Sequence, residues 1–276
     1  MILKKNKIGF LQGRLTKQKK KIQQFPFKNW KKEFQAAKKL KFNIVEWTID
    51  HYGFYKNPLL DIKQSNLIKK ITSQNNIKIN SITADFFMEK PFWKQKNSSY
   101  YLKKIELLIK FCGIHKINFI VIPLVDNSSI NNSSVEKKVI DEFIKFKKLI
   151  EKKKVIILFE SDYAAKKLLK FIKSFKHKSY AINYDLGNSA SLSYDIEEEF
   201  KLYGKFIKNI HIKDRIKNGK SVRLGCGNVD FKKFFKLIKG INYNGPLIFQ
   251  SARSMRRGED YNELKTNLKF IEKFYN

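Results

Sequence analysis

Short runs of strand character alternate with longer stretches of helical periodicity along the whole chain, and this alternation constrains the fold more than any other feature. The strand-type runs are Lys7–Gln12, Asn43–Ile49, Ile77–Ala84, Asn118–Val125, Val155–Ser161, Tyr180–Leu186, Ile207–Lys213 and Pro246–Ser251. Amphipathic segments separate and follow them at Trp30–Leu40, Asp61–Gln74, Ser99–Phe111, Val135–Lys152, Tyr163–Phe175, Ile196–Phe206, Phe231–Lys239 and Asp260–Phe274. Runs such as Val155-Ile156-Ile157-Leu158-Phe159 are apolar at successive positions, as expected of parallel strands buried on both faces. Repeated βα units in a chain of 276 residues match the size of an α/β TIM barrel, about 250 residues. No Gly/Ser/Pro-rich linker divides the chain, so one barrel domain over 1–276 is expected. The rival is a doubly wound open sheet, which would want a glycine-rich phosphate-binding turn after the first strand. Gly9 to Gly13 is not followed by one.

A barrel places its chemistry at the carboxyl ends of the strands and in the loops just beyond them. The polar residues there are Gln12 and Arg14, then Glu46, Asp85, Asp126 and Glu160 on successive units. Asp185 and Asn188 follow the sixth run, His211, Lys213, Asp214 and Arg215 the seventh, and Gln250 and Arg253 the eighth. Carboxylates, one imidazole and amides converging on one rim suit a hard or borderline divalent cation with open coordination positions.

Lysine and arginine total 58 against 25 acids, a net charge of +33, which raises nucleic acid or an anionic membrane as partners. The excess is spread over the chain and accompanies abundant Asn, Ile and Phe, so a compositional background explains it more simply. Only six of the basic residues are arginine, at 14, 215, 223, 253, 256 and 257, and all follow the first, seventh or eighth strand run. Where lysine is the default cation, arginine persists where its fixed fork is needed, as in bidentate recognition of phosphate or carboxylate. Surface placement by chance is the bland alternative. The two cysteines, Cys112 and Cys226, make neither a disulfide framework nor a Cys-rich zinc site and fit a reducing compartment. No apolar run approaches the roughly 20 residues of a membrane span, and the apolar stretch near the amino terminus is broken at Gln12-Gly13-Arg14. A cytoplasmic protein with no membrane partner is expected.

With these residues in place, the chain resembles the sugar phosphate isomerase/epimerase family, the xylose-isomerase-like TIM barrels that include ketose 3-epimerases, hydroxypyruvate isomerase and inosose dehydratase. The resemblance spans nearly the whole chain. Its carriers are Gly9-Phe10-Leu11-Gln12-Gly13-Arg14-Leu15, Ile44-Val45-Glu46-Trp47, Glu160, Tyr184-Asp185-Leu186-Gly187-Asn188, His211-Ile212-Lys213-Asp214-Arg215 and Leu224-Gly225-Cys226-Gly227-Asn228-Val229-Asp230-Phe231. It implies a single divalent ion, Mn²⁺ foremost with Mg²⁺, Co²⁺ or Zn²⁺ as substitutes, held by Glu160, Asp185, His211 and the residue at the fourth ligand position, Gln250. It further implies proton transfer by Glu160 on an open-chain sugar or sugar phosphate, with Arg14, Glu46, Asn188, Lys213, Asp214, Arg215 and Arg253 around the substrate.

Gln250 departs from the family, which carries Glu there. An amide neither accepts nor donates the substrate proton near neutral pH, although its carbonyl oxygen still ligates a hard cation. Three outcomes follow: a one-base isomerisation through an enediol with Glu160 acting on one face, an epimerisation with Asp214 or Glu46 as partner, or a catalytically silent sugar-binding barrel. A metal-assisted lyase or dehydratase reaction is a further alternative. The superfamily also contains a zinc-dependent endonuclease for abasic DNA, whose three-metal cluster needs many histidines. Four histidines and the absence of any Asp-x-His pair disfavour it, and specific nucleic-acid binding with it.

Each residue also has a plainer reading. His211 is a core histidine if it is not a ligand, Asp185 a turn cap, and Glu46 a partner for a lysine. Glu160 ends an apolar strand, where an unpaired charge costs several kcal/mol. Trp47, Phe86, Phe87 and Trp93 either wall the sugar site or pack beneath the loops. His51, His115 and His177 read as ordinary surface residues. The sugar, its phosphorylation, the metal and the oligomeric state stay open, a homodimer included.

Overall fold

The computed structural model describes residues 7–16, 23–254 and 259–274. Eight parallel strands close into a barrel: β1 (Ile8–Leu11), β2 (Ile44–Thr48), β3 (Lys78–Thr83), β4 (Phe119–Leu124), β5 (Ile156–Ser161), β6 (Tyr180–Asp185), β7 (Ile207–Ile212) and β10 (Leu247–Phe249). Strand β10 lies between β7 and β1 and completes the ring through Ile8↔Leu247 and Phe249↔Ile212. Two short strands, β8 (Asp214–Arg215) and β9 (Ser221–Val222), form an antiparallel ribbon just past β7. The expected TIM barrel is the fold observed.

Among the described residues, the outer layer comprises α1 (Trp30–Lys39), α2 (Ser65–Asn75), α4 (Ser98–His115), α5 (Ser133–Lys145), α6 (Lys147–Lys153), α7 (Ala165–Ser174), α9 (Ile196–Tyr203), α10 (Phe231–Gly240) and α11 (Asp260–Glu272). Each turns one stripe inward: α7 buries Ala165, Leu168, Phe171 and Ile172, and α10 buries Phe231, Phe234, Phe235 and Ile238. The single helix expected over Val135–Lys152 is divided at Phe146, which ends α5 and caps α6. Two short helices, α3 (Asp85–Glu89) and α8 (Leu186–Ser191), begin directly off the carboxyl ends of β3 and β6. None of the described helices is long and apolar enough to cross a membrane.

Inside the barrel, side chains alternate with strand pleat, so every second residue of a strand forms an inward column. Apolar residues fill these columns in two clusters apart from the main core, Leu11 with Ile44 and Ile248, and Val121 with Leu158 and Ala181. The same columns turn polar toward the carboxyl ends. Ile44 is followed by Glu46, Leu158 by Glu160, Ala181 by Asn183 and Asp185, and Ile248 by Gln250; on β7 the column runs Asn209, His211, Lys213. The rim chemistry is thus the upper end of a packed interior.

Candidate metal centre

Glu160, Asp185 and His211 stand on three adjacent strands, with Asp185 and His211 direct register partners. All three are buried, and they offer ligand atoms that lie within 4.8 Å of one another. His211 Nδ1 is 3.2 Å from Glu160 Oε2 and 3.9 Å from Asp185 Oδ2. One imidazole nitrogen facing two carboxylates at these distances requires a proton or a cation between them. A donor set of one nitrogen and two carboxylate oxygens fits Mn²⁺, Zn²⁺ or Mg²⁺.

The triad is held from behind and above. Asn183 Nδ2 donates to Glu160 Oε2 at 2.9 Å, and Asn188 Nδ2 donates to Glu160 Oε1 at 2.9 Å. Asp185 ends β6 and caps α8: its Oδ1 accepts the Asn188 amide at 2.8 Å while Oδ2 faces His211 and Lys213. The capping role and the ligand position are two oxygens of one carboxylate. Burial works against its charge, but Lys213 and His211 outweigh it and hold Asp185 below the usual carboxylate range. Burial likewise opposes a charged His211, yet Glu46, with Asp185 and Glu160, raises it well above the ordinary imidazole value.

Lys213 reaches into this rim, with Nζ 3.2 Å from Asp185 Oδ2, 3.2 Å from Asn188 Oδ1 and 3.4 Å from Gln250 Oε1. Gly187 lets it pass, because a Cβ there would lie 2.7 Å from Lys213 Cγ. Gln250 Nε2 donates to Gln23 Oε1 at 3.1 Å, and Gln23 in turn donates to Asp85. Burial, helped by nearby Asp50, pushes the Asp85 carboxyl up to about 8.

Arg14 belongs to the same network through Nη2, 3.2 Å from Gln23 Oε1. Its turn is built deliberately: Gly13 takes φ +91°, and Glu33, fully buried on α1, accepts from Gly13 N, Leu15 N and Thr16 Oγ1 at 2.8, 3.0 and 3.1 Å. Arg253 clamps the turn from the other side, donating to the carbonyls of Gly13 and Thr16 and pairing with Asp260 at 3.2 Å. Arg14 itself is 6% exposed, and its Nε and Nη1 have no hydrogen-bond partner among the described residues. Burial and neighbouring Arg253 lower its guanidinium to about 9.

Several residues expected around a substrate lie elsewhere. Glu46 is fully buried in the barrel interior, where Oε1 meets His211 Nε2 at 2.8 Å and Oε2 accepts from Ser81 and Asn209. Asp214 is also fully buried, accepting the amides of Gly225, Gly227 and Val229 at 2.9, 2.9 and 3.2 Å. It ties down the Gly225–Val229 loop, and neither carboxylate has exposed surface to offer a sugar. Arg215 spends Nε and Nη2 on Gly219 O and gives Nη1 to Asn188 Oδ1 at 2.8 Å. Arg223 forks onto Glu263 at 2.8 and 2.6 Å. Arg256 and Arg257 lie outside the described residues. Trp47, Phe86 and Phe87 are packed with no exposure, and Asp126 is exposed.

Sequence reasoning missed Ser81, Asn183, Asn209, Gln23 and Glu33. The first three carried a usable signal, a buried polar residue at an inward position of a barrel strand. Gln23 carried none, and Glu33 only that of a carboxylate on the apolar stripe of α1.

A family model described as xylose isomerase-like TIM barrel matches residues 34–274. No curated protein matches the chain at the level of sequence. Among solved structures, the chain is similar to a xylose isomerase domain protein from Planctomyces limnophilus, with a TM-score of 0.76 at 15% identity over 98% of this chain and 96% of that one. It is similar to the 3-keto-D-glucoside 4-epimerase YcjR from E. coli, with a TM-score of 0.70 at 15% identity over 97% and 99% of the two chains. The IOLI protein with a bound zinc atom aligns with a TM-score of 0.75 at 14% identity, again over 97% and 99%. At these identities the likeness establishes the fold.

Proposed function

Because the chain belongs to the xylose isomerase-like TIM barrel family, we propose that it is a metal-dependent isomerase acting on an open-chain sugar or sugar phosphate at a carbon next to the carbonyl. The observation that carries this reading is the convergence of Glu160, Asp185 and His211 Nδ1 at the top of the barrel's inward columns. These three would hold a divalent cation, Mn²⁺ foremost, with the Gln250 carbonyl oxygen as a weaker fourth ligand. When bound, such an ion supplies Lewis-acid polarisation of the substrate's carbonyl and adjacent hydroxyl oxygens.

The protein's own groups do the rest. Glu160 is the proton carrier, its carboxylate held in one orientation by the Asn183 and Asn188 amides. Gln250 supplies no second base. Asp214 and Glu46, the other acids considered for that role, have no solvent exposure, whereas Glu160 keeps 6% at the rim. One base on one face favours isomerisation through an enediol over two-base epimerisation. Lys213, beside Asp185 and Gln250, is placed to donate a hydrogen bond to a substrate oxygen. Arg14 is the described rim arginine with unpartnered donors and binds the anionic end of the substrate.

Incubation of metal-loaded protein with ketoses and ketose phosphates in D₂O tests the reading. Deuterium enters at the carbon beside the carbonyl, with interconversion of aldose and ketose, and chelation of the metal abolishes both. Binding without exchange across the panel would mark a catalytically silent sugar-binding barrel instead.

A further inference from the structure

We propose that Glu46 positions His211 for the metal and that its charge, delivered through the imidazole, replaces the carboxylate absent at Gln250. The inference rests on the metal reading above. Glu46 rises from β2 and reaches across the barrel interior to β7, where its Oε1 lies 2.8 Å from His211 Nε2. A carboxylate accepts, so Nε2 carries a proton, and with a cation in place of the Nδ1 proton Nδ1 would turn its lone pair to the space it shares with Glu160 and Asp185.

The placement of Glu46 is over-determined. Its Oε2 accepts from Ser81 Oγ at 2.7 Å and from Asn209 Nδ2 at 2.9 Å. Asn209 Nδ2 also donates to Asn183 Oδ1 at 2.7 Å, and Asn183 passes a hydrogen bond to Glu160 at 2.9 Å. One buried chain therefore joins the carboxylate behind the histidine to the carboxylate in front of it. Packing alone does not call for this, because equivalent inward positions are filled by Ile44, Leu158 and Ile248. A buried carboxylate costs several kcal/mol where a hydrocarbon of similar size would not. Its use is electronic: a carboxylate behind a ligating imidazole raises the basicity of the ligating nitrogen. Among the four ligand positions Gln250 contributes no charge, and Glu46 restores it from the opposite side of His211.

Calorimetric titration of Mn²⁺ into the metal-free protein, compared across wild type, Glu46→Gln, Gln250→Glu and the double variant, tests this. Glu46→Gln weakens Mn²⁺ binding by about 10–100-fold. Gln250→Glu in that background brings the affinity back to within a few-fold of wild type. A role confined to packing would lower the melting temperature of the metal-free protein and would not respond to Gln250→Glu. Equal affinity in Glu46→Gln and wild type, or a loss that the second substitution leaves untouched, overturns the proposal. Failure of the wild type itself to bind Mn²⁺ overturns the metal reading first. Independently of how any variant folds, ¹⁵N-histidine spectra of the metal-loaded wild type must show His211 protonated at Nε2 and metal-bound at Nδ1. Protonation at Nδ1 contradicts the assignment.

Discussion

Lys213 and Gln250 meet at the rim, Nζ 3.4 Å from Oε1, and the same ammonium lies 3.2 Å from Asp185 Oδ2. In the proposed metal site the Gln250 amide would therefore share its carbonyl oxygen between a lysine and the cation. A carboxylate there would satisfy both. Gln250→Glu is expected to tighten metal binding on the order of tenfold, since ligand charge count sets affinity for hard cations. Titration of the purified variant against wild type measures it, and unchanged affinity would remove Gln250 from the coordination sphere.

Arg14 should discriminate between charged and neutral substrates. Hydrogen bonds to charged groups contribute about 1.5–3 kcal/mol, so Arg14→Met is expected to raise KM roughly 10–100-fold for a phosphorylated substrate while leaving kcat within a few-fold. For a neutral sugar of the same skeleton KM should hardly move. Steady-state kinetics on the matched pair separates the two cases.

Asp85 makes folding stability depend on pH. Its carboxyl is raised to about 8 in the folded protein, whereas an unfolded aspartate ionises near 4. Between those values the folded state keeps a proton that the unfolded state loses. Its contribution is thus full below about pH 4 and is lost as the pH rises through about 8. Asp85→Asn, which retains a neutral polar group beside Gln23 and Thr83, should flatten the decline in denaturation midpoint between pH 5 and pH 8. An unaltered profile would mean that Asp85 is ionised in the folded protein.

Asp214 is expected to behave as a scaffold. Asp214→Ala leaves the Gly225, Gly227 and Val229 amides of this partly exposed loop to water, at about 0.5–1.5 kcal/mol for each hydrogen bond lost. Amide exchange should accelerate in that loop, with Mn²⁺ affinity kept within about threefold of wild type. A large loss of metal affinity with normal exchange would move Asp214 into the site.

Much of this architecture is legible in the sequence because parallel barrel strands announce themselves as apolar runs and place polar ends on one rim. Glu160, Asp185 and His211 were visible that way, and the structure brings all three together. The contact between Glu46 and His211 was not, since it joins residues 165 positions apart across the barrel interior and leaves no local pattern. Helices α3 and α8 escaped notice because five or six residues are too few to show a helical period. The arginines were read as forks for a phosphate or carboxylate, but for Arg215, Arg223 and Arg253 the acceptors are loop carbonyls, an amide and carboxylates of the protein itself. Spacing along the chain cannot tell an internal acceptor from a bound anion.

Anomalous scattering from crystals grown with Mn²⁺ would locate one divalent ion among Glu160, Asp185 and the Nδ1 of His211. A single strong peak is expected, bonded to a carboxylate oxygen of each acid and to Nδ1, with Nε2 still on Glu46. A rim without a peak, or a metal bound through Nε2, would contradict it.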